Sequence, residues 1–102
     1  SQGGMMTFEF GNYFNKVLGG LAILSGRIMT ENTINNISLL KTPIFISHGD
    51  CDDVLPIKVY EKSCSFLKRN NFLHKSYRLK GETHTISINA INLLQEFINK
   101  NL

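Results

Sequence analysis

The chain alternates short apolar runs with segments of helical periodicity. Three runs of strand length lie at residues 17–24, 43–47 and 75–79. The first two are apolar without alternation, which is typical of strands buried on both faces of a parallel sheet. The third run mixes charged residues with Tyr77 and Leu79, and it is the weaker strand prediction.

Two segments with apolar residues at helical spacing follow the second and third runs, and we call each set of apolar residues a stripe. Pro56 can begin the first of these helices, and the pair Asn70 and Asn71 can end it. The last helix is predicted to end at Lys100. Residues 2–16 are rich in methionine and aromatic side chains and predict a further, buried helix. The stripes consist of Ile57, Tyr60, Cys64 and Leu67 in the first helix and of Ile88, Ile91, Leu94 and Ile98 in the last.

The predicted order is therefore helix, strand, loop, strand, helix, strand and helix. Strands that alternate with helices indicate an α/β fold with three parallel strands and right-handed crossovers. In such sheets the functional residues lie at the carboxyl ends of the strands. This rule selects Ser1, the loop after Ser47 and the loop after Leu79.

Composition limits the classes of function that remain. A chain of 102 residues and 11.5 kDa is one domain at most, and its net charge of +3 is mild. Its basic residues are interrupted by Glu61 and Glu82, which favours a solvated surface over a nucleic-acid partner. No apolar run reaches the roughly 20 residues of a membrane helix, so no stable membrane insertion is expected.

The cysteines and two of the histidines are assigned structural positions. Cys51 and Cys64 lack the spacing of a disulfide scaffold or a zinc site, which favours a reduced, cytoplasmic protein. Cys64 is expected on the buried face of its helix. His48 is expected to pack at the end of its strand, and His74 is expected to be exposed before the third strand.

The two loops carry the candidate chemistry. The loop HGDCDDVLP supplies Asp50, Asp52 and Asp53, and the loop KGETHT supplies His84. With Ser1 they give a serine, a carboxylate and an imidazole in the chain order of the α/β-hydrolases. A serine hydroxyl needs a base, and a carboxylate fixes the tautomer of that base. Each residue alone could be a turn former, a loop residue or an exposed terminus, and spacing does not choose among the three aspartates.

Three stretches resemble one family. SQGGMM resembles the second half of the G-x-S-Q-G-G nucleophile elbow, LGGLAILSG resembles the strand that follows it, and TPIFISHGDCDDVLP resembles the segment that bears the acid. The sequence is similar to the phospholipase/carboxylesterase family, which includes the acyl-protein thioesterases. The resemblance implies a serine hydrolase that acts on carboxylic esters or thioesters with an acyl chain and uses no metal or cofactor.

The resemblance also implies a role for individual residues. Ser1 is the implied nucleophile, Asp52 the orienting acid and His84 the base. Gln2 is implied to donate its backbone N–H to the oxyanion, and Val54 to line the acyl pocket. The natural substrate stays open among an acyl-protein, a lysophospholipid and a small ester.

The resemblance covers only the part of the family's fold that begins at the serine. Residues 1–102 are therefore expected to form a single partial domain, the C-terminal half of an α/β-hydrolase, from a split, truncated or proteolysed enzyme. A three-stranded remnant would expose an apolar edge where its neighbour strand belongs. We expect the chain to be inactive or nearly so without the absent N-terminal half or self-association.

Two other functions are compatible with the sequence. The chain could be an inactive remnant that acts only as a packing or binding module. Alternatively, Ser1 could use its own α-amine as the base, as N-terminal nucleophile hydrolases do. That alternative leaves the aspartate and histidine loops without a function.

Overall fold

The computed structural model of the protein describes residues 20–26, 28 and 40–101. The predicted helix at 2–16 and the start of the predicted strand at 17–24 lie outside these residues. Neither described helix is long and apolar enough to cross a membrane. The described elements are β1 (Leu21–Leu24), β2 (Ile44–Gly49), α1 (Ile57–Arg69), β3 (His74–Leu79) and α2 (Ile88–Asn101).

The three strands form one parallel sheet in the order β1-β2-β3. This arrangement confirms the predicted α/β class with three parallel strands and flanking helices. The register pairs Leu21 with Ile44 and pairs Gly49 with Leu79. The carboxyl ends of β2 and β3 therefore lie side by side, and the loops that leave them begin at the same edge.

Strand β2 is buried along its whole length, as its uninterrupted apolar pattern predicts. Ile44 and Ile46 belong to the core cluster that also contains Tyr60, Phe66 and Leu67 of α1. On the opposite face, Phe45 packs against other aromatic rings. Its ring centroid lies 5.5 Å from that of Phe97 in α2 and 5.6 Å from that of Tyr77 in β3.

Helix α1 begins and ends where the sequence predicts. Pro56 occupies its N-cap, and the helix ends at Arg69. Asn71 then adopts φ 60° and donates its N–H to Lys68 O, while Phe72 donates its N–H to Leu67 O. These two hydrogen bonds form a Schellman motif in which asparagine takes the left-handed position that glycine usually occupies.

The predicted buried face of the last helix is wrong. Helix α2 exposes Ile88, Ile91 and Ile98 by 75%, 50% and 41%, and it buries Ala90 and Phe97. The helix is rotated from the predicted stripe because the aromatic contact between Phe97 and Phe45 determines which side faces the sheet. At its start, the Ser87 hydroxyl accepts a hydrogen bond from Ala90 N, as an N-cap serine does.

Candidate active site

Two loops meet at the carboxyl edge of the sheet. The loop of residues 50–56, which we call the acid loop, leaves β2 at Gly49. The loop of residues 80–87, which we call the histidine loop, leaves β3 at Leu79. Because β2 and β3 are adjacent and parallel, the loops begin side by side, as the rule for open α/β sheets anticipates.

The backbones of the two loops are joined directly. Asp50 N donates to Leu79 O at 3.0 Å, and Cys51 N donates to Glu82 O at 2.9 Å. At Gly49 the approach is closer still, because a Cβ on this residue would lie 2.2 Å from Glu82 O. Only glycine leaves room for this contact. The start of the acid loop thus packs directly against the backbone of the histidine loop.

A side chain adds a second connection between the loops. Asp50 Oδ1 accepts a hydrogen bond from Gly81 N at 2.7 Å. Gly81 has φ +75°, a conformation that favours glycine. The hydrogen bond from Gly81 N is the main cause that lowers the pKa of Asp50, and the Arg78 guanidinium lowers it further. Asp50 therefore holds the start of the histidine loop and is not the carboxylate that meets the imidazole.

Asp52 is the carboxylate that the acid loop buries. Its side chain is fully buried, and Oδ1 accepts hydrogen bonds from Val54 N at 2.9 Å and Leu55 N at 2.8 Å. Burial by itself would raise the pKa of Asp52. The hydrogen bonds from Leu55 N, the His84 ring and Val54 N outweigh burial and leave the pKa lowered. Asp52 is thus an ionised carboxylate in a buried turn.

His84 meets Asp52 over a short hydrogen bond. His84 Nδ1 lies 2.6 Å from Asp52 Oδ2, although the two residues are 32 positions apart. Because a carboxylate oxygen accepts, Nδ1 carries a hydrogen, and in the neutral form of the ring Nε2 then carries the lone pair. The ring is about one quarter exposed, and Nε2 has no hydrogen-bond partner among the described residues. An imidazole in this tautomer, oriented by a carboxylate, can take a proton from a hydroxyl group.

Of the other residues predicted for the site, only Val54 lies among the described residues. Ser1 and Gln2 lie outside the described residues, so the structure does not test their predicted positions. Val54 belongs to the acid loop next to Asp52, with 59% of its surface exposed. Among the described residues, no group of three or more His, Cys, Asp and Glu side chains could hold a metal ion.

The expectation that His48 packs at its strand end is confirmed, the expectation that His74 is exposed before the third strand is wrong, and Cys64 is only partly buried. His48 contacts the acid loop as well as packing at its strand end, because its Nε2 lies 2.7 Å from Leu55 O. No spacing rule identifies this contact, which depends on how the loop folds back. His74 is half-buried and begins β3, where its Nδ1 lies 3.0 Å from Phe72 O. Cys64 is half-buried beside the core, and burial raises the pKa of its thiol.

Comparison with known proteins identifies the fold and the family. A family model described as Phospholipase/Carboxylesterase matches residues 1–102. Carboxylesterase SOBER1 of Arabidopsis thaliana is 30% identical over 105 residues, which cover 100% of this chain and 46% of SOBER1. Acyl-protein thioesterase 1 homolog 1 of Dictyostelium discoideum is 31% identical over 104 residues, which cover 100% of this chain and 46% of that protein.

Solved structures agree with this similarity. The crystal structure of Arabidopsis thaliana SOBER1 matches with a TM-score of 0.89 at 28% identity, covering 99% of this chain and 50% of that one. A phospholipase/carboxylesterase from Dyadobacter fermentans matches with a TM-score of 0.77 at 28% identity, covering 97% of this chain and 49% of that one. The described strands and helices are therefore part of an α/β-hydrolase fold.

The chain belongs to the phospholipase/carboxylesterase family, because the family model matches it throughout. The resemblance noted in the sequence is thereby confirmed. The chain spans about half the length of the relatives it matches.

Proposed function

We propose that this chain carries the serine, acid and base of a hydrolase that cleaves carboxylic esters or thioesters. In this proposal Ser1 is the nucleophile, Asp52 the orienting acid and His84 the base. The observation that carries the proposal is the 2.6 Å hydrogen bond between His84 Nδ1 and Asp52 Oδ2 at the carboxyl edge of the sheet. Family membership supports the assignment, since the relatives are named as carboxylesterases and acyl-protein thioesterases.

The proposed reaction is acyl transfer to water in two steps. Ser1 Oγ attacks the acyl carbonyl carbon while His84 Nε2 takes the hydroxyl proton. The imidazolium then gives this proton to the leaving alcohol or thiol, and an acyl-serine ester remains. Water attacks that ester with His84 again as the base, and the acid is released as serine is restored.

Asp52 and two further residues support this reaction in the proposal. The Asp52 carboxylate stabilises the imidazolium that forms in each step. Gln2 donates its backbone N–H to the oxyanion, and the loss of one such donor typically slows acyl transfer by about 10²–10³. Val54, exposed on the acid loop, contacts the acyl chain. Its apolar surface suits a hydrocarbon ligand better than water.

We also propose that turnover requires protein beyond these 102 residues. The chain spans 46% of the length of SOBER1 and 46% of the Dictyostelium discoideum relative. An α/β-hydrolase draws its second oxyanion donor from a loop that lies before the nucleophile. Either a longer polypeptide, a separate amino-terminal half or a second copy of the chain would have to supply this donor.

Ester hydrolysis with and without a complementing segment tests the proposal. The chain is assayed with p-nitrophenyl esters and an acyl thioester, alone and mixed with the amino-terminal half of SOBER1. We expect turnover in the mixture, its loss in Ser1→Ala and His84→Ala, and its retention in the control His74→Ala. Turnover that survives His84→Ala but is abolished by blocking the α-amine would support an N-terminal nucleophile hydrolase. The absence of turnover in every mixture would favour a packing or binding module.

We propose a reducing, cytoplasmic location for the protein. Both cysteines are free, and Cys51 is exposed on the acid loop. An exposed free thiol is kept reduced in the cytosol and is exposed to oxidation elsewhere. Mass spectrometry of the natural protein without reductant should find both thiols unmodified, and a mixed disulfide at Cys51 would contradict this location.

A further inference from the structure

His48 is a fully buried histidine that connects the end of β2 to the far end of the acid loop. Its Nε2 lies 2.7 Å from the carbonyl oxygen of Leu55 and 3.3 Å from Oδ2 of Asp52. A carbonyl oxygen can only accept, so Nε2 carries the hydrogen. The side chains of both His48 and Asp52 are fully buried.

Packing alone does not explain an imidazole at this position. His48 Nδ1 is buried and has no hydrogen-bond partner among the described residues. A buried polar atom without a partner costs free energy, whereas an apolar ring would pack on Tyr60 without that cost. The rings of His48 and Tyr60 are stacked with centroids 5.8 Å apart. The other ring nitrogen must therefore provide what an apolar side chain could not.

We infer that His48 is a positioning residue for the Asp52–His84 pair, an inference that rests on the proposed function. The Nε2–H of His48 donates to Leu55 O and lies beside Asp52 Oδ2, the oxygen that accepts from His84. Leu55 N in turn donates to Asp52 Oδ1. One ring thus fixes both the end of the acid loop and the carboxylate oxygen that orients His84.

The geometry explains why a single donor has this effect. Without the His48 hydrogen, Leu55 would lose the partner of its carbonyl, and the turn that holds Asp52 Oδ1 would be free to open. A carboxylate that rotates away from His84 Nδ1 no longer fixes the tautomer, and small misplacements of reacting groups can be costly in rate. The donor at Nε2, and not the bulk of the ring, is the feature that matters.

Two variants with amide side chains distinguish the effect of the Nε2–H donor of His48 from the effect of the size of its ring. His48→Gln places a side-chain N–H near the position of Nε2, whereas His48→Asn places one near the position of Nδ1. The measurement is the NMR resonance of the proton on His84 Nδ1 in the full chain, which the hydrogen bond to Asp52 shifts downfield. We expect His48→Gln to keep this resonance and His48→Asn to lose it, with labelling of Ser1 by a fluorophosphonate slowed about tenfold in His48→Asn.

His74 provides the matched control, because its ring also bonds a backbone carbonyl but lies at the opposite end of the sheet. His74→Asn should leave the His84 resonance unchanged. A His84 resonance that persists in His48→Asn, or that disappears in a folded His48→Gln, would overturn the inference. If Ser1 is not labelled either in the chain alone or in its mixture with the amino-terminal half of SOBER1, while the resonance still depends on residue 48, the proposed hydrolysis fails and the positioning by His48 stands.

Discussion

Gly49 lies so close to Glu82 that a Cβ on residue 49 would stand 2.2 Å from the Glu82 carbonyl oxygen. Gly49 is the last residue of β2, and Glu82 lies two residues before His84 in the histidine loop. The position of a Cβ is fixed by the backbone, and the atoms that it would meet are also backbone atoms. No side-chain rotation can therefore relieve the clash. The absence of a side chain at residue 49 therefore allows the two loops to bring Asp52 and His84 together.

A side chain at residue 49 should separate the two loops. We expect Gly49→Asn to lower the free energy of unfolding by about 1–3 kcal/mol, as overpacking does, and to weaken the His84–Asp52 hydrogen bond. Urea denaturation and the His84 Nδ1 proton resonance measure the two effects. In the comparison variant Gly81→Asn, the φ of +75° strains the new residue by about 1 kcal/mol, but a Cβ there meets nothing within 4 Å, so the His84–Asp52 hydrogen bond should persist. Loss of the His84 resonance in both variants, or in neither, would refute the close approach at Gly49.

The lowered pKa of Asp52 predicts how stability depends on pH. Its ionised carboxylate stabilises the fold at pH values above the unfolded pKa of about 3.9. This stabilisation is lost as the pH falls through the lower pKa of the folded state. Urea denaturation should show a decline in acid that is shallower in Asp52→Asn, and Asp50, whose pKa is also lowered, should contribute to the slope that remains. A curve for Asp52→Asn that runs parallel to that of the unsubstituted chain would contradict the prediction.

Helix α2 should tolerate the loss of its isoleucines better than the loss of its phenylalanine. Phe97→Ala removes a buried ring that packs on Phe45, at an expected cost of about 3–5 kcal/mol. Ile91→Ala changes a half-exposed side chain and should cost less than about 0.5 kcal/mol. Urea denaturation of both variants ranks the two positions. A larger loss of unfolding free energy in Ile91→Ala than in Phe97→Ala would indicate that the isoleucine stripe is the buried face of α2 after all.

The two cysteines should differ in their reaction with a thiol reagent. Cys51 is exposed, whereas Cys64 is half-buried and burial raises the pKa of its thiol. Since the thiolate is the reactive form, Cys64 should react at least about tenfold more slowly with an aromatic disulfide near pH 8. Cys51→Ser should abolish the fast phase and Cys64→Ser the slow one. A single rate for both thiols would show that Cys64 is not protected.

Much of the fold could be predicted because it depends on local preferences. Burial on both faces explains the unbroken apolar pattern of β2, and backbone preferences explain why Pro56 begins α1 and Asn71 follows its end. The location of the acid and histidine loops follows from the parallel order of the strands. These features require only neighbours in the sequence and the rule for strand ends.

The remaining features depend on contacts between distant residues. Spacing cannot choose among the three aspartates, because the fold of the turn directs Asp50 to Gly81 and Asp52 to His84. The face of α2 was predicted from its isoleucines, although a competing set, Ala90, Leu93, Leu94 and Phe97, has the spacing i, i+3, i+4, i+7. That spacing was the available signal. Contact of Phe97 with Phe45 decides between the two faces.

Labelling of Ser1 by a fluorophosphonate tests most directly whether serine, acid and base act together. The full chain is treated with the probe, alone and with the amino-terminal half of SOBER1, and the modified peptide is identified by mass spectrometry. The account predicts a covalent adduct on Ser1 that is lost in His84→Ala and retained in His74→Ala. An adduct on Ser1 that forms equally well in His84→Ala, or no adduct under any of these conditions, would contradict it.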